Sequence, residues 1–248
     1  MDKTFFVFLL AGFLAQTIDG CIGMAYGVSS TTLLLSFGVP PAAASASVHT
    51  AEVFTTFVSG ISHYKLKNIN KKLFSSLVIP GVIGGIIGAY ILTNIDTTII
   101  GPIINVYLIL MGLKILYQAF GKPAQKTMES IKIQILAVVG GFLDAIGGGG
   151  WGPVVTTTLV ANGNTPRYVI GSVNASEFFV TLAQAITFVT LIGIGEYWKI
   201  IVALAVGGMI AAPFAAILVK KISLKAMMII VGVVVTALNV RGIILLFI

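Results

Sequence analysis

The chain reads as ten apolar runs separated by short polar breaks. In the first half they cover roughly residues 4–18, 24–37, 42–62, 73–93 and 98–118, and in the second roughly 132–143, 150–161, 167–192, 198–219 and 224–247. The breaks hold Gly, Pro, Asn, Asp or Lys, residues that end helices or make turns. The last three runs of each half approach the length of a membrane-spanning helix, which needs about 20 residues to cross about 30 Å of hydrocarbon. The first two of each half are shorter, and about 15 residues reach only about 22 Å at a rise of about 1.5 Å each. Each short pair is expected to form a broken or re-entrant hairpin with its glycine-rich tip, around Gly23 or around Gly147 to Gly150, inside the membrane. Irregular backbone is tolerated at that depth only when it is buried in protein or lines a wet cavity.

The two halves also repeat one another. Residues 19–32 lie over residues 144–157 at an offset of 125 (144 − 19), and the same offset carries Pro41 onto Pro166, Ser47 onto Ser172 and Glu52 onto Glu177 without a gap. Duplicated units of this kind build many secondary transporters, with the site at the repeat interface. The expected organisation is a first membrane repeat at 1–121, a connector at 122–131 and a second repeat at 132–248. Lys3 followed by an apolar run resembles a secretory leader. Its counterpart, Ile133 to Leu143, is internal, so the N-terminal run is read as the first membrane segment. No soluble domain, low-complexity tract or lipidation motif is visible.

Composition fixes the class. With 57% hydrophobic and 9% charged residues and a mean hydropathy of +1.06, there are too few charges to cover a soluble surface. The chain is expected to be an all-α, multi-pass protein of the cell inner membrane, with the lipid bilayer as its first partner. The 15 Lys and Arg against 8 Asp and Glu do not point to nucleic acid, because they cluster between apolar runs, as at Lys65, Lys67, Lys71 and Lys72 or Lys220, Lys221 and Lys225. That is the pattern of cytoplasmic loops. The His63–Lys72 loop is basic but its counterpart Gly193–Lys199 is not, and the bias reverses between Thr93–Thr97 and the loop holding Lys220 and Lys221. The halves are therefore expected to face opposite ways, with the connector in the cytoplasm and both termini outside. Cys21 is the single cysteine, which excludes an internal disulfide and speaks against a thiolate metal site; no cofactor or metal is expected.

The third long run of each half, counting the hairpin arms, carries the polar chemistry. Ser45, His49, Glu52, Thr56, Ser59 and His63 follow at steps of four, three, four, three and four, and Asn174, Glu177, Thr181 and Gln184 at three, four and three. Each set lies on one helix face. A charged carboxylate at mid-membrane costs roughly 2.5 to 3.5 kcal/mol on insertion scales, so Glu52 and Glu177 are either proton-carrying or neutral groups bonded to hydroxyls between helices. His49, which becomes Asn174 in the second half, is either a proton relay or a structural histidine. Asp19 and Asp144 precede the tips and either cap backbone N–H groups there or carry protons. If a helix restarts near Trp151, Gly152 and Pro153, its unpaired N–H groups attract an oxyanion; alternatively the glycines only permit close packing. The candidate anion-binding set is Gly23, Tyr26, Gly27, Thr31, Ser47, Gly148, Gly149, Gly150, Trp151, Gly152, Thr156, Ser172 and Asn174, and the candidate proton set is Glu52, Glu177, His49, Asp19 and Asp144. Lys114 and Arg241 either snorkel from the fifth runs or guide anions.

These residues include runs with a family resemblance. Gly-Gly-Phe-Leu-Asp-Ala-Ile-Gly-Gly-Gly-Gly-Trp-Gly-Pro at 140–153, Pro-Arg at 166–167, Gly-Ser-Val-Asn-Ala-Ser-Glu-Phe-Phe at 171–179 and Ser-Ala-Ser-Val-His-Thr-Ala-Glu at 45–52 resemble the TauE/SafE sulfite exporter family of permeases. The resemblance implies movement of small sulfur-containing anions such as sulfite or organosulfonates, generally outward and coupled to protons. The first repeat departs from the family's glycine run, with Gly-Cys-Ile-Gly-Met-Ala-Tyr-Gly in its place. A passive anion channel uses the same helix-start chemistry and stays open as a reading. A membrane-embedded enzyme is a third, weakened by the lack of a Gly-x-Ser-x-Gly or His-Glu-x-x-His motif.

Overall fold

The computed structural model describes residues 3–120, 129–162, 164–218 and 224–245. Its helices are α1 (Lys3–Ile22), α2 (Tyr26–Ser36), α3 (Pro41–Lys65), α4 (Lys71–Asn94), α5 (Thr97–Gln118), α6 (Ser130–Gly147), a π-helical turn (Trp151–Thr156) running into α7 (Thr157–Ala161), α8 (Pro166–Ile192), α9 (Trp198–Leu218) and α10 (Leu224–Ile244). A 3-10 turn, Gly195–Tyr197, precedes α9. Among the described residues there is no strand. Lys122 and Lys126 of the connector and the Lys220–Lys221 pair lie outside the described residues.

Local chemistry explains the boundaries. Pro41 and Pro166 open α3 and α8 at the first helical position, where a missing N–H costs nothing. The Asn70 side chain accepts the N–H groups of Lys72 and Leu73 to start α4, and Asp96 accepts that of Thr98 to start α5. One boundary differs from the sequence reading. The first arms do not stop before the acids: α1 has 20 residues and α6 has 18, so both reach about 27 to 30 Å. Asp19 and Asp144 do not break these helices, because their side chains fold onto the following turn. Only the second arms are short, with 11 residues in α2 and 11 from Trp151 to Ala161 (6 + 5).

Among the described residues five helices are long and apolar enough to cross a membrane: Lys71–Asn94, Thr98–Gln118, Ser130–Gly147, Arg167–Ile192 and Trp198–Ala215. At 25 residues α3 is long enough as well, but its polar stripe lowers its hydropathy. The protein is an all-helical, multi-pass membrane protein. Ile79, Ile83, Ile86 and Ile87 of α4 and Ile99, Ile103, Val106 and Leu110 of α5 are exposed on the outside, while Ser45, His49, Glu52, Thr56, Ser59, His63, Asn174, Glu177, Thr181 and Gln184 are all buried. Apolar outside and polar inside is the arrangement that lipid demands.

The packing of the two halves corresponds. α1 packs on α9 and α6 on α4; α3 packs on both α8 and α9, and α8 on both α3 and α4; α5 packs on α10. Moving each helix by one repeat exchanges these contacts among themselves. Close approach is made with glycine: a Cβ on Gly12 would strike the Leu204 carbonyl, and one on Gly84 the Val138 carbonyl. Small residues let membrane helices approach to backbone contact. Both hairpins return to the end they started from. Ser130 at the start of α6 and Asn164 after α7 line one cavity of about 330 Å³, and Phe8 near the start of α1 meets Phe37 after α2 at 5.5 Å.

Candidate functional site

Each first arm ends in the same way. Gly23 and Gly148 take left-handed backbone, with φ of 69° and 65°, and their N–H groups donate to the Asp19 and Asp144 carbonyls, both at 2.6 Å. Glycine suits such a helix end because a side chain there is strained. The two carboxylates then reach over the turn. Asp19 Oδ1 accepts from the Ala25 N–H at 3.0 Å, and Asp144 Oδ1 accepts from the N–H groups of Gly150 and Trp151, both at 3.1 Å. This changes one expectation. The N–H groups of Ala25, Gly150 and Trp151 are held by the protein's own carboxylates.

The tips also touch each other. A Cβ on Gly27 would collide with the Gly148 carbonyl, one on Gly149 with Val28, and one on Gly152 would lie 2.5 Å from Met24 Cα. Gly27 and Gly152 are counterparts in the repeat (27 + 125), so the two turns meet backbone to backbone across the centre. Tyr26 and Trp151, also counterparts, are fully buried and donate to the carbonyls of Leu204 and Val173, each at 3.2 Å. They are anchors for the short arms, with no donor left for a ligand.

The remaining candidates divide by whether their hydrogen bonds are used. Ser172 exchanges bonds with the Asn70 backbone, accepting from its N–H at 2.8 Å. Asn174 accepts from Ser59 at 2.9 Å and donates to the Ile170 carbonyl at 3.0 Å. Ser47 lines a separate cavity of about 160 Å³ between α3 and the start of α9. Thr31 and Thr156 differ: both are buried, and neither hydroxyl has a hydrogen-bond partner. They are counterparts (31 + 125 = 156). Each leans on the other half's tip, Thr31 on Gly148 and Thr156 on Gly23.

Above the tips sits an ionisable centre. His49 Nε2 lies 3.1 Å from the Asp144 carbonyl, which can only accept, so Nε2 carries hydrogen and donates. His49 Nδ1 lies 3.1 Å from Glu52 Oε2 and 3.9 Å from Asp144 Oδ2. With Nε2 committed, the Nδ1–Oε2 contact needs one shared proton, borne by either partner. Gln184 donates to Asp144 Oδ2 at 3.2 Å and to the Gly141 carbonyl at 3.1 Å, and Ser45 donates to the Ala145 carbonyl. The donor atoms of His49, Glu52 and Asp144 lie within 4.8 Å of one another, compact enough for a small cation, though one shared proton already completes the pairing. The counterparts of His49 and Gln184, Asn174 and Ser59, satisfy each other instead, so His49 and Gln184 grip the second tip, and among the described residues no such pair grips the first. Thr56 and Thr181, counterparts again, meet at 3.5 Å between the stripes.

Three polar groups here escaped the sequence reading. Ser30, Gln16 and Tyr107 hold buried polar atoms without partners, and the Tyr107 ring packs where Gly147 leaves room. Their counterparts are Val155, Gly141 and Gly232; a repeat comparison that flagged apolar or glycine positions opposite polar ones would have found them.

Comparison with known proteins agrees with this architecture. The chain is 44% identical, over 252 aligned positions covering 98% of it and 83% of the relative, to a Bacillus subtilis (strain 168) protein named "Probable membrane transporter protein YtnM". No solved structure matches it. The family described as sulfite exporter TauE/SafE matches residues 8–242. With the match running from the first membrane helix to the last, the chain belongs to the sulfite exporter TauE/SafE family of membrane transporters.

Proposed function

We propose that this transporter moves small sulfur-containing anions, such as sulfite or organosulfonates, outward across the inner membrane in exchange for or together with protons, by alternating access. In this reading residues 1–121 and 132–248 are inverted repeats, both termini lie outside, and the anion is taken up between the two tips with Thr31 and Thr156 as hydroxyl donors. The carrying observation is that the proton-sharing His49–Glu52 pair is bonded directly to the shoulder of a tip, through the Asp144 carbonyl.

Electrostatics supports the coupling. Asp19, Glu52, Asp144 and Glu177 are within electrostatic reach of one another. Two unit charges about 4 Å apart interact by about 4 kcal/mol at an effective dielectric of about 20. An anion entering beside several ionised carboxylates would be expelled, so its entry and protonation of the centre must go together. Direct contact between the tips at Gly27, Gly149 and Gly152 favours alternating access over an open channel.

The test is gradient-driven flux of labelled sulfite in proteoliposomes. Wild type is expected to accumulate sulfite uphill under an imposed proton gradient. Glu52→Gln is expected to keep downhill exchange and lose the uphill component, with Glu177→Gln weaker in effect because no histidine shares its proton. Equal uphill accumulation by the Glu52→Gln/Glu177→Gln double variant sinks the proton role; strictly downhill flux in wild type returns the protein to the channel reading.

A further inference from the structure

The repeat reaches the surface as well as the centre. The cavity of about 330 Å³ is lined by Asn70, Lys72 and Ser76 around the start of α4 and by Tyr168 of α8. Moved by one repeat these become Gly195, Tyr197, Ile201 and Ala43 (70 + 125, 72 + 125, 76 + 125 and 168 − 125), and all four line the cavity of about 160 Å³. The two cavities are one feature built twice. They lie at opposite ends of α8, the larger at Thr165 to Val169 and the smaller at Ile192; this helix has 27 residues and is about 40 Å long. Leu73, Ile133 and Val169 of the larger cavity pack in the apolar cluster that holds Trp151, and Ile201 of the smaller one in the cluster that holds Tyr26. Trp151 and Tyr26 anchor the two short arms, so each cavity backs onto the anchor of one tip.

Charge is what the repeat does not keep. Lys72 lines the larger cavity and is exposed, and among the described residues no carboxylate pairs with it. Arg167, on the same rim, is fixed by hydrogen bonds to the Asn68 side chain and the Leu66 carbonyl. Glu129, next to the lining residue Ser130, is held by Lys132 at 3.1 Å, so that pair adds no net charge. The smaller cavity has Tyr197 where the larger has Lys72, and no charged side chain is among the described residues that line it. The segment beside it, Gly193–Lys199, holds one acid and one base, Glu196 and Lys199. One mouth is positive and the other neutral. A cleft lined by positive charge concentrates anions from the water outside it, and a neutral cleft does not.

Resting on the anion-transport reading above, we propose that these cavities are the two mouths of the transport path, and that Lys72 captures the anion at one of them, raising the apparent affinity on that side alone. On the topology proposed above, the Lys72 mouth opens to the cytoplasm, where an outward transporter collects its load. The effect is kinetic. A fixed charge at a mouth does no work over a cycle, because it favours entry and hinders departure on its own side by compensating factors. Accumulation at a given proton gradient is therefore independent of it. A unit charge about 7 Å from the anion in water changes the affinity by about a factor of three for each negative charge the anion carries. Most of that is screened in about 1 M salt, where the Debye length is about 3 Å.

The test measures initial rates of labelled sulfite uptake by purified full-length protein reconstituted in one orientation and then in the other, so that each mouth in turn faces the medium. A tag ahead of α1 marks the smaller-cavity end, because Phe8 meets Phe37 just before the start of α3. The KM from the Lys72 side is expected to rise between about 0.01 M and about 1 M salt, and the KM from the other side to change less. Lys72→Gln is expected to raise the KM about threefold or more from its own side at low salt, with the other side unchanged, and Lys72→Arg to keep the wild-type values. Tyr197→Lys, which puts the charge in the opposite mouth, is expected to lower the KM from that side by a similar factor, and it decides the point if Lys72→Gln does not reconstitute. Final accumulation under a fixed proton gradient is expected to match wild type in every variant. An unchanged KM for Lys72→Gln, a KM raised equally from both sides, or lowered accumulation with flux intact overturns the capture role and leaves the transport reading standing. No flux of sulfite in wild type overturns both.

Discussion

Replacing Thr156 by valine separates a hydroxyl kept for a ligand from one kept for the fold. A buried hydroxyl without a partner costs the protein roughly 1–3 kcal/mol of desolvation, and Thr156 is fully buried with no partner. Valine has nearly the same shape, so Thr156→Val is expected to stabilise the protein by up to that amount. At about 2–4 °C per kcal/mol for a chain of this size, the apparent Tm in detergent rises by about 2–12 °C. Transport is expected to move the other way. A hydroxyl donating to an anion is worth about 1.5–3 kcal/mol, which is about a 10- to 150-fold loss of affinity. Thr31→Val probes the other half, where Thr31 turns its hydroxyl oxygen toward Gly148 whereas Thr156 turns its methyl toward Gly23. The assay pairs a thermal melt by intrinsic fluorescence with the KM for methanesulfonate in proteoliposomes. A structural threonine would lose stability on substitution, so a fall in Tm with unchanged KM refutes the assignment.

Other expectations follow from the tips and caps. Gly148→Ala combines left-handed backbone, roughly 1–2 kcal/mol, with a collision against Thr31 costing a further 1–3 kcal/mol or about that; Gly38→Ala, with φ of 80° and nothing within 4 Å, carries only the backbone cost. Equal melting shifts for the two would deny the tip–tip contact. Asp144→Ala strands the N–H groups of Gly150 and Trp151 and the Gln184 amide, at about 1–3 kcal/mol for each donor left unpaired, whereas Asp144→Asn keeps one acceptor and is expected to lose less; a melt that ranks them in reverse would deny the capping role. Asp96, in the exposed loop before α5, is held below the usual carboxylate range first by the Thr98 N–H and then by the Thr98 hydroxyl. Because its folded pKa is depressed, its contribution is present above its unfolded value of about 3.9 and is lost as pH falls through the folded one. Asp96→Ala should therefore melt below wild type at neutral pH and with it in strong acid; a difference independent of pH counts against this.

Much of the protein was legible in the chain because lipid reduces the choices. A bilayer leaves an apolar segment little option but a helix, so runs of hydrophobic residues mark every helix here to within a few positions. The stripe from Ser45 to His63 announced a buried face because its steps of three and four follow the helical period. The duplication paired Asp19 with Asp144, Glu52 with Glu177 and Thr31 with Thr156 from spacing alone. Spacing could not say which polar group bonds which. The extent of α1 and α6 past their acids depended on carboxylates turning back onto the tip, a contact with no signature in hydrophobic periodicity.

The chain by itself determined an all-helical membrane protein whose acids and glycines recur at one offset, because composition and period are local properties that the bilayer reads directly. Only the tertiary structure decided what those residues are free to do. It set Asp144 on the tip N–H groups, His49 between Glu52 and the Asp144 carbonyl, Ser172 and Asn174 in bonds elsewhere, and left the Thr31 and Thr156 hydroxyls without partners. Hydrogen-bond satisfaction is a property of neighbours brought from distant parts of the chain, here 95 residues apart for His49 and Asp144 and 115 for Ser59 and Asn174, and packing alone settles which donors remain for a substrate.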